Sequence, residues 1–566
     1  MQALPSWKAF LLLIVFIALW FGGLNHRKLF DPDEGRYAEV PREMAVTGDF
    51  VTPRLNGFKH FAKPPLQYWT TALAYKSFGV KDWTARLWPA LTGALGLLLV
   101  YFTGSLLFGR AAGIAAGLVL ASSLYYVFFA QVATVDMNLT LFIAAATCFI
   151  MLGLNALPGS RAERRWMLLA WAAMALAMLA KGLVGVVFPL MAVGLYTLIH
   201  RQWMLWTRLH PFTGALVFLA IAAPWFVTVS LRNPEFFHFF FVQEHFARYA
   251  TTIHRRTEPF WFFLPLLLVG LLPWTWAMLE SIREGWRITD KADHFHPQRF
   301  LALWGLSIIV FFSFSSAKMV AYILPAVPAL GLLTGRWLST LSEDQLRRRL
   351  VPLVIVMGVA ICVAAQVTEV VKEKDIYRIF FVRYAVWLEA AGLLLLVAAA
   401  ALAWRRLTPV RMIAATAAVV LVALQLSILG LEQLSPLRSG YAVAQEMKRH
   451  LRPDSEVFAV GRFDQTLPPY LGRTITLVEF AGQMAFGLQQ EPYLALHSME
   501  EFAQAWAKAP SAAALMDMSN YEQARAMAIP MRLLCSDAKR AVVRKPLPGE
   551  PAAIDAQPRN CVSSLS

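Results

Sequence analysis

The chain has 566 residues, of which 58% are hydrophobic and 16% are charged, and its mean hydropathy is +0.52. This composition excludes an ordinary water-soluble globular protein and indicates an integral membrane protein. The formal net charge is +16, but the excess lysines and arginines are spread over many short loops. That pattern is typical of membrane topology signals and argues against a nucleic-acid-binding surface.

Hydrophobic runs recur from Phe10 to Gly430 and then stop. They predict a polytopic α-helical membrane protein with about thirteen transmembrane helices. The run from Trp166 to Ile199 is too long for one helix, so we divide it at Lys181-Gly182 into a hairpin. The first run lacks a cleavage site and is predicted to remain as an anchor. The predicted spans are 9–25, 84–108, 111–130, 137–154, 167–180, 182–199, 212–231, 260–279, 301–316, 319–335, 351–367, 385–404 and 409–430.

The arginine-rich loops predict the orientation of these spans. With the amino terminus inside, short loops such as "SRAERR", "LRRRL" and "WRRLTPVR" all lie in the cytoplasm, as the positive-inside rule requires. An odd number of spans then places the carboxy-terminal segment outside, together with the loops 26–83 and 232–259. We therefore predict a transmembrane domain at 1–430 and an exterior domain at 431–566.

The carboxy-terminal segment is predicted to be a small α/β domain. Strand-like stretches such as "EVFAVG" and "TITLVE" alternate with helical stretches such as "MEEFAQAWAKA". The segment also contains Cys535 and Cys561. Because both lie in an exterior, oxidising compartment, we predict a disulfide between them.

The stretch "DPDEGRYAEVPREM" places three carboxylates where the chain leaves the bilayer. Asp31, Pro32 and Glu34 fit the start of a helix, with Asp31 as the N-cap and Glu34 closing a capping box. Asp33 is not needed for this cap, and it lies within one turn of Arg36 and Tyr37. It is either a favourable charge at the helix start or a catalytic carboxylate.

Further polar residues are predicted on the same exterior face. Lys63 precedes two prolines and an amphipathic segment, 66–78, that could lie on the membrane surface. Asp136 lies at the mouth of a span, where a carboxylate is costly unless it caps the next helix, is paired or is functional. Lys181 and Lys318 either extend their ammonium groups to the lipid headgroups or belong to a functional site on this face.

The loop 232–259 interleaves aromatic residues with charged ones, including His245 and Arg248. Its phenylalanines fit an interfacial belt, but the dense basic set is less typical of one. At least two carboxylates and several cationic side chains are thus predicted to lie together on the exterior face, next to the lipid. Such a set suits a phosphate carried on a long lipid chain, so the pattern predicts group transfer from a lipid phosphate.

Several motifs carry a family resemblance. The stretch from "PDEGRYAEVPREM" to "NGFKHFAKPPLQYW" resembles the first exterior loop of the bacterial aminoarabinose (4-amino-4-deoxy-L-arabinose) lipid A transferases, which are related to protein O-mannosyltransferases. "LAKG", "EHFARY" and "AKMVAYILP" follow in the family's order. The resemblance implies a GT-C fold, a polyprenyl (undecaprenyl) phosphate sugar donor and a lipid A phosphate or other periplasmic acceptor. It also implies a bacterial inner-membrane enzyme whose active site is periplasmic.

The resemblance also implies roles for individual residues. Asp33 would be the main catalytic carboxylate and Asp136 a second acidic group. No cofactor is implied, and no metal is predicted, because no histidine, cysteine and carboxylate spacing fits a metal site. The chain departs from the family at Ala62, where the usual acidic residue would be a possible cavity or metal ligand. The remaining residues would bind substrate, with Lys63, Lys181 and Arg248 on the donor phosphate and Arg36, Tyr37, His245, Lys318 and Tyr322 lining the cavity.

Two other functions remain open from the sequence. A related enzyme could instead act on serine or threonine hydroxyls of exported proteins, as protein O-mannosyltransferases do. A lipid transporter or flippase is the alternative from another class. It is disfavoured because the informative charges gather on one face and no internal repeat is visible.

Overall fold

Helices dominate the computed structural model, which describes residues 6–247, 258–287, 295–370, 375–537, 539–550 and 559–561. The chain divides into two compact units. The first, here called the membrane unit, comprises Met1–Leu24, Ala62–Gln67 and Arg86–Leu431. The second, here called the mixed unit, comprises Asn25–Phe61, Tyr68–Ala85 and Glu432–Ser566.

Most of the described chain before residue 250 is helical. Apolar runs bounded by glycine, proline and polar residues form these helices, as the hydrophobic pattern predicts. The helices are α1 (Ser6–Phe21), α2 (Asp33–Thr47), α3 (Leu66–Phe78), α4 (Asp82–Phe108), α5 (Arg110–Ala121), α6 (Leu124–Ala130), α7 (Asp136–Asn155), α8 (Arg161–Lys181), α9 (Val184–His200), α10 (Leu205–Arg208) and α11 (Pro211–Arg232), followed by a π-helix at His238–Ala247.

Long helices continue to the end of the membrane unit, and short ones follow in the mixed unit. They are α12 (Phe263–Gly270), α13 (Thr275–Arg287), α14 (Pro297–Ser313), α15 (Val327–Leu338), α16 (Glu343–Val370), α17 (Asp375–Trp404), α18 (Pro409–Gly430), α19 (Ser435–Arg438), α20 (Tyr441–Lys448), α21 (Leu467–Leu471), α22 (Ala485–Gln490), α23 (Met499–Lys508) and α24 (Met518–Ala526). Short 3₁₀ turns lie at Val320–Ala326, Leu431–Leu434, Gly482–Met484 and Pro492–Leu494.

A helix lies in each of the predicted spans, but not every one is long enough to cross a bilayer alone. By length and composition, seven helices of the described chain could cross, or nine if two bent pairs each form one span. The bend is 66° between α5 and α6, and 110° between α12 and α13. Shorter apolar helices lie at Phe10–Phe21, α9 and α14. The count of thirteen crossings therefore stays a prediction.

The predicted hairpin between α8 and α9 is confirmed. The first helix ends at Lys181, and Gly182 takes a φ of 92°, which only glycine adopts without strain. On the returning helix, a Cβ on Gly185 would lie 2.6 Å from the Cβ of Ala177. Two glycines thus allow the sharp turn and the close packing that bring Lys181 to its end of the bundle.

The mixed unit is built on one sheet, which confirms the predicted α/β fold. Within the described residues the strand order is β5-β4-β3-β6-β8-β7-β9, with β3 parallel to β4 and β6 and with β8 antiparallel to β6 and β7. Phe458, Phe502 and Trp506 pack in its buried core. The strands of this sheet are β3 (Glu456–Val460), β4 (Thr476–Val478), β5 (Ala495–Leu496), β6 (Ala512–Asp517), β7 (Arg532–Ser536), β8 (Arg540–Arg544) and β9 (Arg559–Asn560).

Much of the first loop folds with the carboxy-terminal residues. It carries a short hairpin, β1 (Arg54–Leu55) and β2 (Phe58–Lys59). The side-chain amide of Asn56 at its turn exchanges two hydrogen bonds of 2.7 Å with the backbone of Ile475. The two units divide at Leu431/Glu432, and 25–61 and 68–85 group with the mixed unit rather than with the membrane helices. The division into a transmembrane domain at 1–430 and an exterior domain at 431–566 stays a prediction.

The predicted disulfide between Cys535 and Cys561 is confirmed. Their Cα atoms lie 4.9 Å apart, within the range that a disulfide requires. The bond closes a stretch of 26 residues between β7 and the end of β9. It ties the last described residues to the sheet.

Removing this bond should destabilise the mixed unit. Because the disulfide restricts the unfolded chain, we expect the Cys535→Ser/Cys561→Ser variant to lose about 2–4 kcal/mol of unfolding free energy. Denaturant unfolding of the purified protein, with intact mass measured before and after reduction, checks this. Cys148→Ser, which removes a free buried cysteine of the membrane unit, is the control. Two free thiols at 535 and 561 in freshly isolated protein would contradict the bond.

Candidate active site

The predicted capping box at the start of α2 is wrong. The helix begins at Asp33 with Pro32 as its N-cap residue, and no side chain caps it. The Asp31 carboxylate instead accepts a 2.7 Å hydrogen bond from the backbone N–H of Gln465. A hydrogen bond from Gln465, which is distant in sequence, thus takes the place of the local capping bond that the sequence predicts for Asp31.

Glu34 also has a structural partner rather than a capping role. Its carboxylate accepts two hydrogen bonds from the Arg27 guanidinium, at 2.6 and 3.1 Å, and one of 3.0 Å from the backbone N–H of Phe30. Both Glu34 and Arg27 are buried. This carboxylate is therefore fully engaged inside the mixed unit.

Asp33 is the carboxylate of the motif that remains accessible. Its side chain is 48% exposed, and one carboxylate oxygen lies 3.7 Å from Nη2 of Arg36. It occupies the first turn of α2, where a negative charge is favoured by the helix dipole. The geometry leaves this carboxylate available to a substrate.

Arg36 is held by two side-chain amides that sequence reasoning missed. Its Nε donates a 3.1 Å hydrogen bond to Oε1 of Gln465, and its Nη2 donates to Oε1 of Gln483. Gly35 permits this approach, because a Cβ there would lie 2.4 Å from the backbone carbon of Gln465. No local signal marks these glutamines, since they lie more than 400 residues further along the chain and belong to no motif.

The pKa of Asp31 reflects its buried surroundings. Burial and the nearby Asp464 carboxylate raise the pKa from 3.8 to about 7, against the opposing effects of the Gln465 N–H, Arg36 and Arg462. A carboxyl group in this state loses its proton only near neutral pH. It is a structural anchor for the segment before α2.

Tyr37 lies on the inner side of α2. Its ring stacks on that of Tyr68 at 5.9 Å between centroids, with an angle of 25° between the planes. Both rings are buried, and the Tyr68 hydroxyl has no hydrogen-bond partner in the described part of the chain. Tyr68 is thus a third residue of this region, after Gln465 and Gln483, that the sequence did not single out.

In the membrane unit, Asp136, Lys181 and Tyr322 come together. The Asp136 carboxylate forms an ion pair with Lys181, and the Lys181 Nζ lies 5.2 Å from the centroid of the Tyr322 ring. Asp136 begins α7, but the N-cap position belongs to Val135, so the capping alternative is wrong. Both charged side chains are largely buried, at 11% and 15% exposure. Each side chain therefore compensates the charge of the other where both are largely removed from solvent.

Lys318 binds a backbone oxygen rather than either member of this ion pair. It is buried, and its Nζ donates a 2.8 Å hydrogen bond to the backbone oxygen of Ser315. The ammonium group therefore stabilises the turn before the 3₁₀ segment, rather than extending to the headgroups.

Lys63 lies near an acidic residue that sequence reasoning did not select. Its Nζ is 3.9 Å from Oε2 of Glu244 and donates a 2.7 Å hydrogen bond to the backbone oxygen of Ala62. Glu244 is on the π-helix, a conformation that is frequent at functional sites. The side chain of His245 and all of Arg248 lie outside the described residues.

The described residues contain no group of three histidine, cysteine, aspartate or glutamate side chains that could hold a metal ion. The position before Lys63 is Ala62, which offers no ligand atom on its side chain. The absence of a metal from the mechanism stays a prediction.

Two family models match the chain. Residues 5–240 match the dolichyl-phosphate-mannose-protein mannosyltransferase model, and residues 443–545 match the aminoarabinose transferase C-terminal domain model. The matches cover most of the first half of the membrane unit and most of the sheet of the mixed unit. They agree with the order of motifs along the sequence.

Curated relatives carry one shared name, undecaprenyl phosphate-alpha-4-amino-4-deoxy-L-arabinose arabinosyl transferase. The protein from Edwardsiella ictaluri is 30% identical over 347 residues, covering 61% of this chain and 61% of the relative. The protein from Aeromonas salmonicida is 33% identical, covering 58% of this chain and 59% of the relative. The chain thus matches less than two thirds of the length of these relatives.

A solved structure matches nearly the whole chain. ArnT from Cupriavidus metallidurans, in a crystal structure with bound undecaprenyl phosphate, is 34% identical with a TM-score of 0.87. The match covers 96% of this chain and 98% of that protein. It confirms the predicted GT-C fold of a polytopic helical membrane protein with a carboxy-terminal α/β domain. With this identity over almost the full length of both proteins, the chain belongs to the aminoarabinose transferase family.

Proposed function

We propose that the protein is a membrane glycosyltransferase that moves 4-amino-4-deoxy-L-arabinose from undecaprenyl phosphate to a phosphate of lipid A. The reaction would take place at the periplasmic face of the bacterial inner membrane. The main support is the near full-length similarity to a protein whose crystal structure contains undecaprenyl phosphate. The shared name of the curated relatives supports the choice of sugar.

The reaction is a displacement at the anomeric carbon of the sugar. The bond from this carbon to the lipid phosphate oxygen breaks, a bond to an acceptor oxygen forms, and undecaprenyl phosphate leaves with the released electron pair. Lys63 and Lys181 would stabilise the charge that develops on the leaving phosphate. Arg36 would line the cavity, and its bonds to Gln465 and Gln483 would keep its guanidinium in one orientation.

The proposed acceptor determines what Asp33 does. A lipid A phosphate is already anionic, so the carboxylate has no proton to remove. It would instead stabilise the positive charge that develops on the sugar ring in the transition state. The exposure of Asp33, in contrast to the engaged Asp31 and Glu34, supports this role.

Asp136 would act through Lys181. A carboxylate already paired with an ammonium group holds that group in one orientation. The ion pair therefore supports a positioning role for Asp136, with Lys181 as the group that contacts the donor phosphate. His245, Arg248, Lys318, Tyr37 and Tyr322 remain proposed substrate-binding residues.

A second candidate function rests on the mannosyltransferase match. Residues 5–240 match the model of enzymes that glycosylate proteins, so a serine or threonine hydroxyl is the alternative acceptor. With such an acceptor, Asp33 would be a general base. The aminoarabinose transferase C-terminal domain at 443–545 favours the lipid A acceptor.

The two acceptors can be separated in cells. We expect lipid A from cells with the gene to carry the aminopentose on its phosphates, and lipid A from deletion cells to lack it. Mass spectrometry of lipid A and of exported proteins from both strains measures this, and complementation with Asp33→Asn is the matched control. Sugar on exported proteins with unmodified lipid A would overturn the proposed acceptor.

Loss of Lys181 or Lys63 should weaken use of the donor. Each alanine variant removes a charge-assisted contact to the donor phosphate, worth about 1.5–3 kcal/mol where water is excluded. We expect kcat/KM for the donor to fall roughly tenfold or more, with little change in the dependence on acceptor. Steady-state kinetics with each substrate varied separately checks this, and Lys59→Ala in the same loop is the control.

The role of Asp136 is tested by combining Asp136→Asn with Lys181→Ala. If it acts only by positioning Lys181, Asp136→Asn should lower activity in the wild type but cost nothing further in the Lys181→Ala variant. Additive losses in the double variant would show that Asp136 contributes independently of Lys181.

Asp33→Asn should nearly abolish transfer while the protein stays folded. Asparagine keeps the size and hydrogen bonding of the side chain but loses the negative charge that the mechanism uses. Purified variants are compared for transfer from the undecaprenyl-phosphate sugar and for thermal unfolding. A folded and fully active Asp33→Asn protein would remove Asp33 from the mechanism.

Asp31→Asn is the matched control two residues away. The asparagine oxygen can still accept the hydrogen bond from the Gln465 N–H, so activity should change little. The folded pKa near 7 lies above the ordinary 3.8, so the unfolded chain loses this proton first as pH rises. The wild type should therefore lose stability relative to the variant between about pH 4 and pH 7, as thermal melts across this range would show.

A further inference from the structure

Three arginines lie together on one face at the start of α8. Arg161, Arg164 and Arg165 are exposed and follow the i, i+3, i+4 spacing that places side chains side by side. In the described part of the chain, no ion pair joins them to an acidic side chain. Three positive charges are therefore available on a single turn of helix.

The acidic residue within this turn cannot neutralise them. Glu163 is buried on the opposite side of α8, where it accepts a 2.9 Å hydrogen bond from Arg208 and lies 3.2 Å from the His210 ring. Arg208 is in turn bound to backbone oxygens at the end of α7. The only carboxylate of the turn is thus used to fasten α7, α8 and α11 together.

An apolar groove continues from the arginines along the same face. It has a volume of about 490 Å³ and is lined, beyond the three arginines, by Leu168, Leu169, Ala172 and Val217. Beside it, α8 and α11 pack closely, because a Cβ on Gly214 would fall 2.0 Å from the Trp171 ring. The Trp171 Nε1 also donates a 2.9 Å hydrogen bond to the Leu209 oxygen. The walls of the groove are therefore held at a fixed spacing.

The groove lies along α8 at the depth where a membrane lipid would lie. Arg161 and Lys181 stand at opposite ends of the helix, about 30 Å apart at the usual rise per residue. This is roughly the thickness of the hydrocarbon core. The arginines therefore lie at headgroup depth in the leaflet opposite to Lys181, and the groove lies at the depth of the acyl chains.

We propose that this groove binds an anionic phospholipid, with its phosphate on Arg161, Arg164 and Arg165 and an acyl chain against Ala172 and Val217. Guanidinium groups bind phosphate through paired hydrogen bonds, and basic pockets between membrane helices suit anionic headgroups. A zwitterionic headgroup would place its own cation among three arginines, and the repulsion between these like charges disfavours its binding. The site is independent of the proposed reaction, since it lies at the far end of α8 from Lys181.

Lipid retention by the purified protein tests the site. Native mass spectrometry of the full chain in detergent, titrated with phosphatidylglycerol or phosphatidylethanolamine, should show preferential binding of phosphatidylglycerol. We expect Arg164→Gln/Arg165→Gln to bind phosphatidylglycerol roughly tenfold or more weakly, because two charge-assisted contacts are lost. The matched control is Arg405→Gln/Arg406→Gln, which removes two exposed arginines just after α17, and it should bind as the wild type does.

A second variant separates the groove from surface charge alone. Ala172→Phe fills the apolar part without changing any charge, so it should also weaken phosphatidylglycerol binding. Thermal unfolding of each variant shows whether the protein remains folded. Equal losses in both arginine pairs, unchanged binding by Ala172→Phe, or no preference for phosphatidylglycerol in the wild type would each overturn the proposal.

Discussion

A charge beside hydrocarbon must find a partner, and the ion pair between Asp136 and Lys181 meets this requirement in the membrane unit. Each group alone would be costly to bury, but together they lie where the start of α7 meets the end of α8, at the ends that the 156–160 loop does not join. The hairpin glycines that end α8 at Lys181 place the ammonium beside both the carboxylate and the Tyr322 ring. The architecture of the bundle therefore holds this ammonium group in one place, as its proposed contact with the donor phosphate requires.

The same requirement distinguishes the carboxylates of the first loop. Asp31 and Glu34 are engaged by a backbone N–H and by a guanidinium inside the mixed unit, and so they stabilise the position of α2. Asp33 stands between them with half of its side chain exposed. Two engaged neighbours thus hold an accessible third carboxylate, an arrangement that suits the role proposed for Asp33.

The helix α8 connects two charge environments on the two sides of the membrane unit. At one end Lys181 has a carboxylate partner, whereas at the other end three arginines have none among the described residues and border an apolar groove. The difference arises because Glu163, the nearby acid, is already committed to Arg208 and His210. The three exposed arginines are therefore available to an anionic headgroup, as the proposed lipid site requires.

Composition and hydrophobic runs by themselves determined the membrane class, the positions of the helices and the α/β nature of the last segment, because burial acts on local sequence. The predicted exterior location of Cys535 and Cys561 indicated that they pair, and the structure confirms the bond. The motif also singled out Asp33. Only the tertiary structure decided that Asp31 is no helix cap and that Gln465 and Gln483 hold Arg36. It also joined Asp136 to Lys181. These are contacts between residues far apart in the chain, and their energies depend on burial and orientation that no local pattern encodes.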